Sequence, residues 1–143
     1  MQVSESELRC NCLAVRQAAR QVTQLYDEEL SETGLRSTQY AVLSRLSSIA
    51  PATMQSLAEA LVMDRTTLAH NLKPLERDGL VSVGADENDR RVRRLVLTAK
   101  GKATLATAKK AWNRAQDRFE RAFGHDDAVA LRKLLARVVE AAR

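Results

Sequence analysis

The stretch DENDRRVRRLVLT, residues 86–98, packs three acids and four arginines into Asp86–Arg94 and then turns apolar at Leu95, Val96 and Leu97. Leu80 to Val83 on one side and Arg93 to Leu97 on the other are rich in β-branched and aliphatic residues, which suits two short strands joined by a charged turn. An arginine-rich hairpin tip can reach a minor groove, where narrow A·T segments concentrate negative potential. Asp89 stands two residues before Arg91, close enough in a tight turn to hold that guanidinium in a charge-assisted fork. An arginine ordered in advance loses less entropy on binding. Asp89, Arg90 and Arg91 therefore read as a stiffened tip, whereas Arg93 and Arg94 flank the strand and suit phosphates. A merely soluble hairpin tip is the competing reading of the same charges. Thr98 fits the N-cap of a long helix.

Working back from the hairpin, Asp64 can cap a helix that carries Leu68, Leu72 and Leu75 at core spacing, with Gly79 at its end. Thr53 can cap a shorter helix bearing Leu57, Ala58 and Leu61, and only Val62 and Met63 separate the two. An earlier helix begins near Ser37 and Thr38, buries Val42, Leu43, Leu46 and Ile49, and stops at Pro51. A short helix, a tight turn, a second helix and a basic-tipped hairpin is the order of a winged helix-turn-helix. The helix Arg65 to Arg77 can then enter a major groove, which is wide enough for one α-helix. Its exposed candidates for base edges and phosphates are Arg65, Thr66, Thr67, His70, Asn71 and Lys73. Taken alone, this helix reads equally as a solvated face. Pro74 removes one backbone bond and crowds the carbonyl of His70, which predicts a kink near Lys73.

Further out, Leu8, Cys12, Val15, Ala19, Val22 and Tyr26 recur at steps of four and three, the seam of a long helix that docks on a partner. Ser4 and Glu7 offer it a capping box, and Gly34 lies beyond its end. After Thr98 the stripe is Leu105, Ala108, Trp112, Ala115 and Phe119; after Gly124 it is Leu131, Leu134, Leu135 and Val138. These stripes exceed what a winged core of about 60 residues can cover, so they call for a partner surface. Trp112 reads as a core or dimer-seam anchor. The fold class is mainly α with a small β-hairpin (α+β), a winged helix-turn-helix with long N- and C-terminal dimerisation helices. One domain covers 1–143, with its DNA-binding part at 36–98 and dimerisation helices at 4–33 and 99–143.

Composition agrees. With 143 residues, 45% of them hydrophobic, the chain can bury a real core, and its net charge of +5 favours an anionic partner. No stretch approaches the roughly 20 apolar residues of a membrane span, and MQVSESELR lacks the order of a signal peptide, so the cytoplasm is the expected location. Cys10 and Cys12 are too few and too close for a secreted disulfide framework. Two residues apart on a helix they would face nearly opposite sides, unable to close a disulfide or share a metal ion. An oxidant sensor needs a thiolate, which Arg16 could favour from one turn after Cys12; inert packing is the competing reading. His70 and His125 lack partners at metal-ligand spacing, so neither a metal nor a cofactor is expected. A thiol-dependent enzyme using Cys12 is an alternative without a motif for a resolving cysteine or catalytic histidine. A winged helix used for RNA or protein contacts is another.

Leu57-Ala58, Leu61, Leu68, Leu72, Leu75-Glu76, Gly79-Leu80-Val81, Asp89-Arg90-Arg91, and Leu95 to Thr98 with Gly101 together resemble the signature of MarR-type transcriptional regulators. The resemblance implies a homodimer built from the first and last helices, binding a roughly palindromic operator in double-stranded DNA and usually repressing genes until a signal releases it. It also implies that the helix from Arg65 reads the major groove and that Arg90 or Arg91 occupies the wing tip. Cys12 falls where the organic-peroxide-sensing branch has its reactive cysteine, and Tyr26 matches a tyrosine that hydrogen-bonds that thiolate. Arg16 and Ser37 depart from that branch by replacing further tyrosines. A small aromatic ligand is the other signal the resemblance implies.

Overall fold

The computed structural model describes residues 4–143. In order these form α1 (Glu5–Leu8), α2 (Asn11–Leu30), a 3-10 turn at Ser31–Thr33, α3 (Ser37–Ile49), α4 (Met54–Leu61), α5 (Arg65–Arg77), β1 (Val81–Ala85), β2 (Arg93–Leu97), α6 (Ala99–Phe123) and α7 (His125–Ala141). The mainly α architecture with one antiparallel hairpin is the expected fold class. The chain divides into two units, one from Leu30 to Ala111 and the other from the outer segments up to Glu29 and from Trp112 to Arg143.

The central unit holds nearly all the core. Leu30, Val42, Leu43, Leu46, Leu57, Leu68, Leu75 and Leu95 are its largest fully buried side chains, each contributing about 1.5–3 kcal/mol. Apart from Leu30, the last residue of α2, they come from α3, α4, α5 and β2, which pack on one another. Local signals fix the ends. Thr53 accepts the Ser56 N–H at 3.0 Å while Ser56 Oγ accepts the Thr53 N–H at 3.0 Å, a reciprocal cap that starts α4. α5 runs on through Pro74 to Arg77. It closes when Gly79, at φ 74°, lets its N–H reach the Glu76 carbonyl and the Leu80 N–H reach the Leu75 carbonyl.

That closure moves the first strand. Leu80 is consumed by the helix end, so β1 begins at Val81 and not at the expected Leu80. It pairs antiparallel with β2 in the register Val81↔Leu97, Val83↔Leu95 and Ala85↔Arg93. Ala52 adds a bridge on the far side of β2, exchanging hydrogen bonds with Leu95 at 3.0 and 2.7 Å. Thr98 caps α6 by accepting the Gly101 N–H at 2.9 Å, and its hydroxyl donates to the Gly79 carbonyl at 2.6 Å.

In the outer unit, only Ala115 and Ala128 are buried among the described residues, while Val15, Phe123, Leu134, Leu135 and Val138 are exposed. Of the expected stripes, that of α7 is open at Leu134, Leu135 and Val138 and that of α2 at Val15, whereas Ala108 and Ala115 of the α6 stripe are buried. The first helix is also interrupted. α1 ends at Leu8, and Cys10 stands before α2 with its Sγ accepting the Leu13 N–H at 3.3 Å. The capping box proposed for Ser4 and Glu7 rests on a Glu7 side chain outside the described residues.

Candidate nucleic-acid interface

α5 buries Leu68, Leu72 and Leu75. The opposite face is therefore the stripe Thr66, His70, Lys73 and Arg77, at steps of four, three and four, and all four are exposed. Arg65, the first residue of α5, is also exposed. Thr67 and Asn71, also expected to read bases, flank the stripe and are already engaged. The Thr67 hydroxyl donates to Asp64 Oδ2 at 2.9 Å, and Asn71 Nδ2 donates to the Thr67 carbonyl at 3.0 Å. The Thr67 N–H and hydroxyl together hold the Asp64 carboxyl below its usual range. Arg77 completes the stripe and was missed by sequence reasoning, although its spacing from Thr66 was visible.

In the hairpin loop, Asp89 holds Arg91 as expected. Its Oδ1 accepts from the Arg91 backbone N–H at 3.0 Å and from Nε at 3.2 Å, with Nη2 at 3.5 Å from Oδ2. Arg94 corrects an expectation. Expected to meet phosphates, its side chain is engaged within the hairpin, where its Nε donates to Asp86 Oδ1 at 2.8 Å. That bond leads the interactions that keep the Asp86 carboxyl below its usual range. Arg90 and Arg93 have no carboxylate partner among the described residues, so two of the four arginines are free and two are held.

The charges divide sharply between the units. Leu30–Ala111 carries thirteen Lys and Arg against eight Asp and Glu, whereas the rest of the chain carries ten of each. The whole net charge of +5 thus resides in the unit bearing α5 and the hairpin.

Cys10 and Cys12 are both exposed free thiols. The expectation that they share a helix is overturned, because Cys10 precedes α2 and Cys12 lies in its first turn. Tyr26 is fourteen positions further along α2 from Cys12, about 21 Å of helix rise. Its hydroxyl donates to Gln116, and its pKa is raised by burial and by Glu120. Arg16 is exposed one turn after Cys12. Within the outer unit, Val15, Val22, Tyr26, Phe119, Leu131 and Leu135 line an open groove of about 310 Å³.

A model of the MarR family matches residues 35–92. The transcriptional regulator HosA of Escherichia coli is 36% identical over 94 residues, covering 66% of this chain and 68% of HosA. Across curated relatives of this kind, the matched stretch spans 56% to 68% of their length. Two solved structures align more fully. The transcriptional repressor CouR of Rhodococcus jostii RHA1, bound to a 23-mer DNA duplex, has 30% identity and a TM-score of 0.86, covering 97% of this chain and 99% of CouR. The M. tuberculosis regulator MosR in complex with DNA has 38% identity and a TM-score of 0.80, covering 94% and 99%. With its winged helix-turn-helix, its basic α5 and hairpin, and these relatives, the chain belongs to the MarR family of DNA-binding transcriptional regulators.

Proposed function

We propose that the chain acts as a homodimer that binds a pseudo-palindromic operator and represses transcription until a small aromatic ligand or oxidation of Cys12 releases it. The observation that carries this reading is the division of charge, which concentrates every excess cation in the unit that presents α5 and the wing. Arg65, Thr66, His70 and Lys73 are the reading residues of α5, with Thr67 and Asn71 shaping its first turns. Arg90 and Arg91 serve the minor groove, Asp89 orders Arg91, and Arg93 meets phosphate.

The homodimer rests on the outer unit. Among the described residues this unit buries only Ala115 and Ala128 and leaves Val15, Leu134, Leu135 and Val138 exposed, which calls for a second surface to cover them. A two-fold axis then sets the wings on half-sites one helical turn, about 34–36 Å, apart. The oxidation signal is supported by the position of Cys12, a free and exposed thiol in the first turn of α2.

Selection of bound duplexes from a random pool tests the reading. A two-fold symmetric site is expected, with log affinity falling against log salt by about 0.9 per phosphate neutralised. Equal affinity for RNA hairpins, or affinity flat in salt, would sink it. Titration of the complex with an organic hydroperoxide tests the thiol: unchanged affinity removes Cys12 from the signal.

A further inference from the structure

The order of the wing loop rests less on the Asp89–Arg91 pair than on a second carboxylate behind it. Arg91 is 91% exposed and Asp89 41% exposed, and an ion pair so open to water orders little by itself. Asp89 must first be fixed. Its backbone N–H donates to Asp86 Oδ2 at 3.1 Å, beside that of Asn88 at 3.0 Å. The other oxygen of Asp86 accepts from Arg94 on β2, and this pair is sheltered, at 17% and 38% exposure. Asp86 also donates its own N–H to the Val92 carbonyl at 2.8 Å, while the Val92 N–H returns to Asp89 at 3.0 Å. One residue thereby ties both ends of the loop to the strand that anchors it.

We propose that Asp86 is a positioning residue for the wing: it fixes the backbone from which Asp89 aims Arg91 and keeps Arg94 off the phosphates. The proposal rests on the DNA-binding reading given above. It carries a signature that loss of stability would not produce. Removing the carboxylate frees the loop and weakens recognition of the right sequence, but it also releases the Arg94 guanidinium as a new cation for any duplex. Affinity for the operator and affinity for random sequence should move in opposite directions.

The test uses the full-length protein, the duplex selected from a random pool, and a scrambled duplex of the same composition, read by fluorescence anisotropy. Asp86→Ala should bind the selected duplex about tenfold more weakly and the scrambled duplex more tightly than wild type. Asp86→Ala combined with Arg94→Ala should lose the gain on scrambled DNA. In an Arg91→Ala background, Asp86→Ala should cost less than about twofold on the selected duplex, because the residue it positions is gone. Asp86→Asn, which keeps the shape and an acceptor for the loop amides, guards against a misfolded alanine variant and should shift affinities in the same directions by less. Parallel losses on both duplexes, or an undiminished loss without Arg91, would overturn the proposal. Wild type that binds no duplex would overturn the DNA-binding reading instead, so the two failures are told apart.

Discussion

The carboxylate of Asp64 accepts the Thr67 backbone N–H at 2.7 Å and the Thr67 hydroxyl at 2.9 Å, so one acid both starts α5 and engages the Thr67 side chain. Its lowered pKa fixes the sign of a pH effect. A carboxyl depressed in the folded state contributes its stability in full above the unfolded value of about 3.9, and that contribution is lost as pH falls through the folded value. Asp64→Asn retains a good cap without the charge. Its melting temperature should trail wild type by a constant margin near neutral pH, and the gap should close below about pH 4. A gap independent of pH would contradict this.

Arg91→Ala should weaken binding to the selected duplex by about 10- to 100-fold, the loss of one specific arginine contact. Asp89→Ala should weaken it less, by freeing a side chain it does not replace. Arg93→Ala should lower affinity on every sequence alike and reduce the salt slope by about 1. Anisotropy titrations at several salt concentrations check all three, and wild-type behaviour by both Arg91→Ala and Asp89→Ala would refute the wing assignment.

Gly101 sits in the first turn of α6 against the end of β1's leading turn. A Cβ there would overlap the Leu80 carbonyl oxygen and lie 3.0 Å from its carbon, and backbone cannot swing aside as a side chain can. Gly101→Ala should cost about 3 kcal/mol or more in urea unfolding. A cost below about 1 kcal/mol would mean that the α6 start relaxes freely.

Val62, between α4 and α5, holds φ 54° although it is β-branched, and it is 63% exposed. The left-handed conformation costs an L-residue about 1–2 kcal/mol, and so exposed a side chain repays little by burial. Val62→Gly should therefore stabilise the protein by about 0.5–1 kcal/mol in thermal melts, despite glycine's greater chain entropy. A destabilised variant would show that the side chain packs in a way its exposure conceals.

Leu134→Glu and Val138→Glu place charge on the exposed face of α7, where truncation removes little core. Each should shift sedimentation velocity toward the monomer at micromolar concentration while leaving the helical circular dichroism nearly intact. Unaltered sedimentation in the double variant would place the dimer contact elsewhere.

Local chemistry made α3, α4 and α5 legible, because Thr53, Asp64 and Gly79 act within one turn of themselves and the leucines between them keep helical spacing. The break before α2 was hidden by the same kind of pattern. The four-and-three seam from Leu8 to Tyr26 passes through Arg9 and Cys10 without a flaw, and a cysteine sulfur is an unusual helix cap. The engagement of Thr67 and Asn71 depends on rotamers that residue type does not determine. Arg94 reaches Asp86 across eight positions, a contact created by strand register and invisible to any spacing rule. The outer stripes were legible as apolar faces, yet what covers Val15, Leu134, Leu135 and Val138 is not set by any spacing rule.

Asp64, Asp86 and Asp89 are embedded in the most cationic part of the molecule, and all three act as acceptors for neighbouring groups. Their remaining negative field bears on target search. Non-specific attachment to DNA scales with the phosphates a surface neutralises, so acids set among the arginines shorten each stay on an unrelated sequence. Hydrogen bonds at the correct site are short-ranged and lose far less. On the proposed reading, the carboxylates that cap α5 and order the wing loop would also shorten the stay at wrong sites, widening the difference in dwell time between operator and bulk genome.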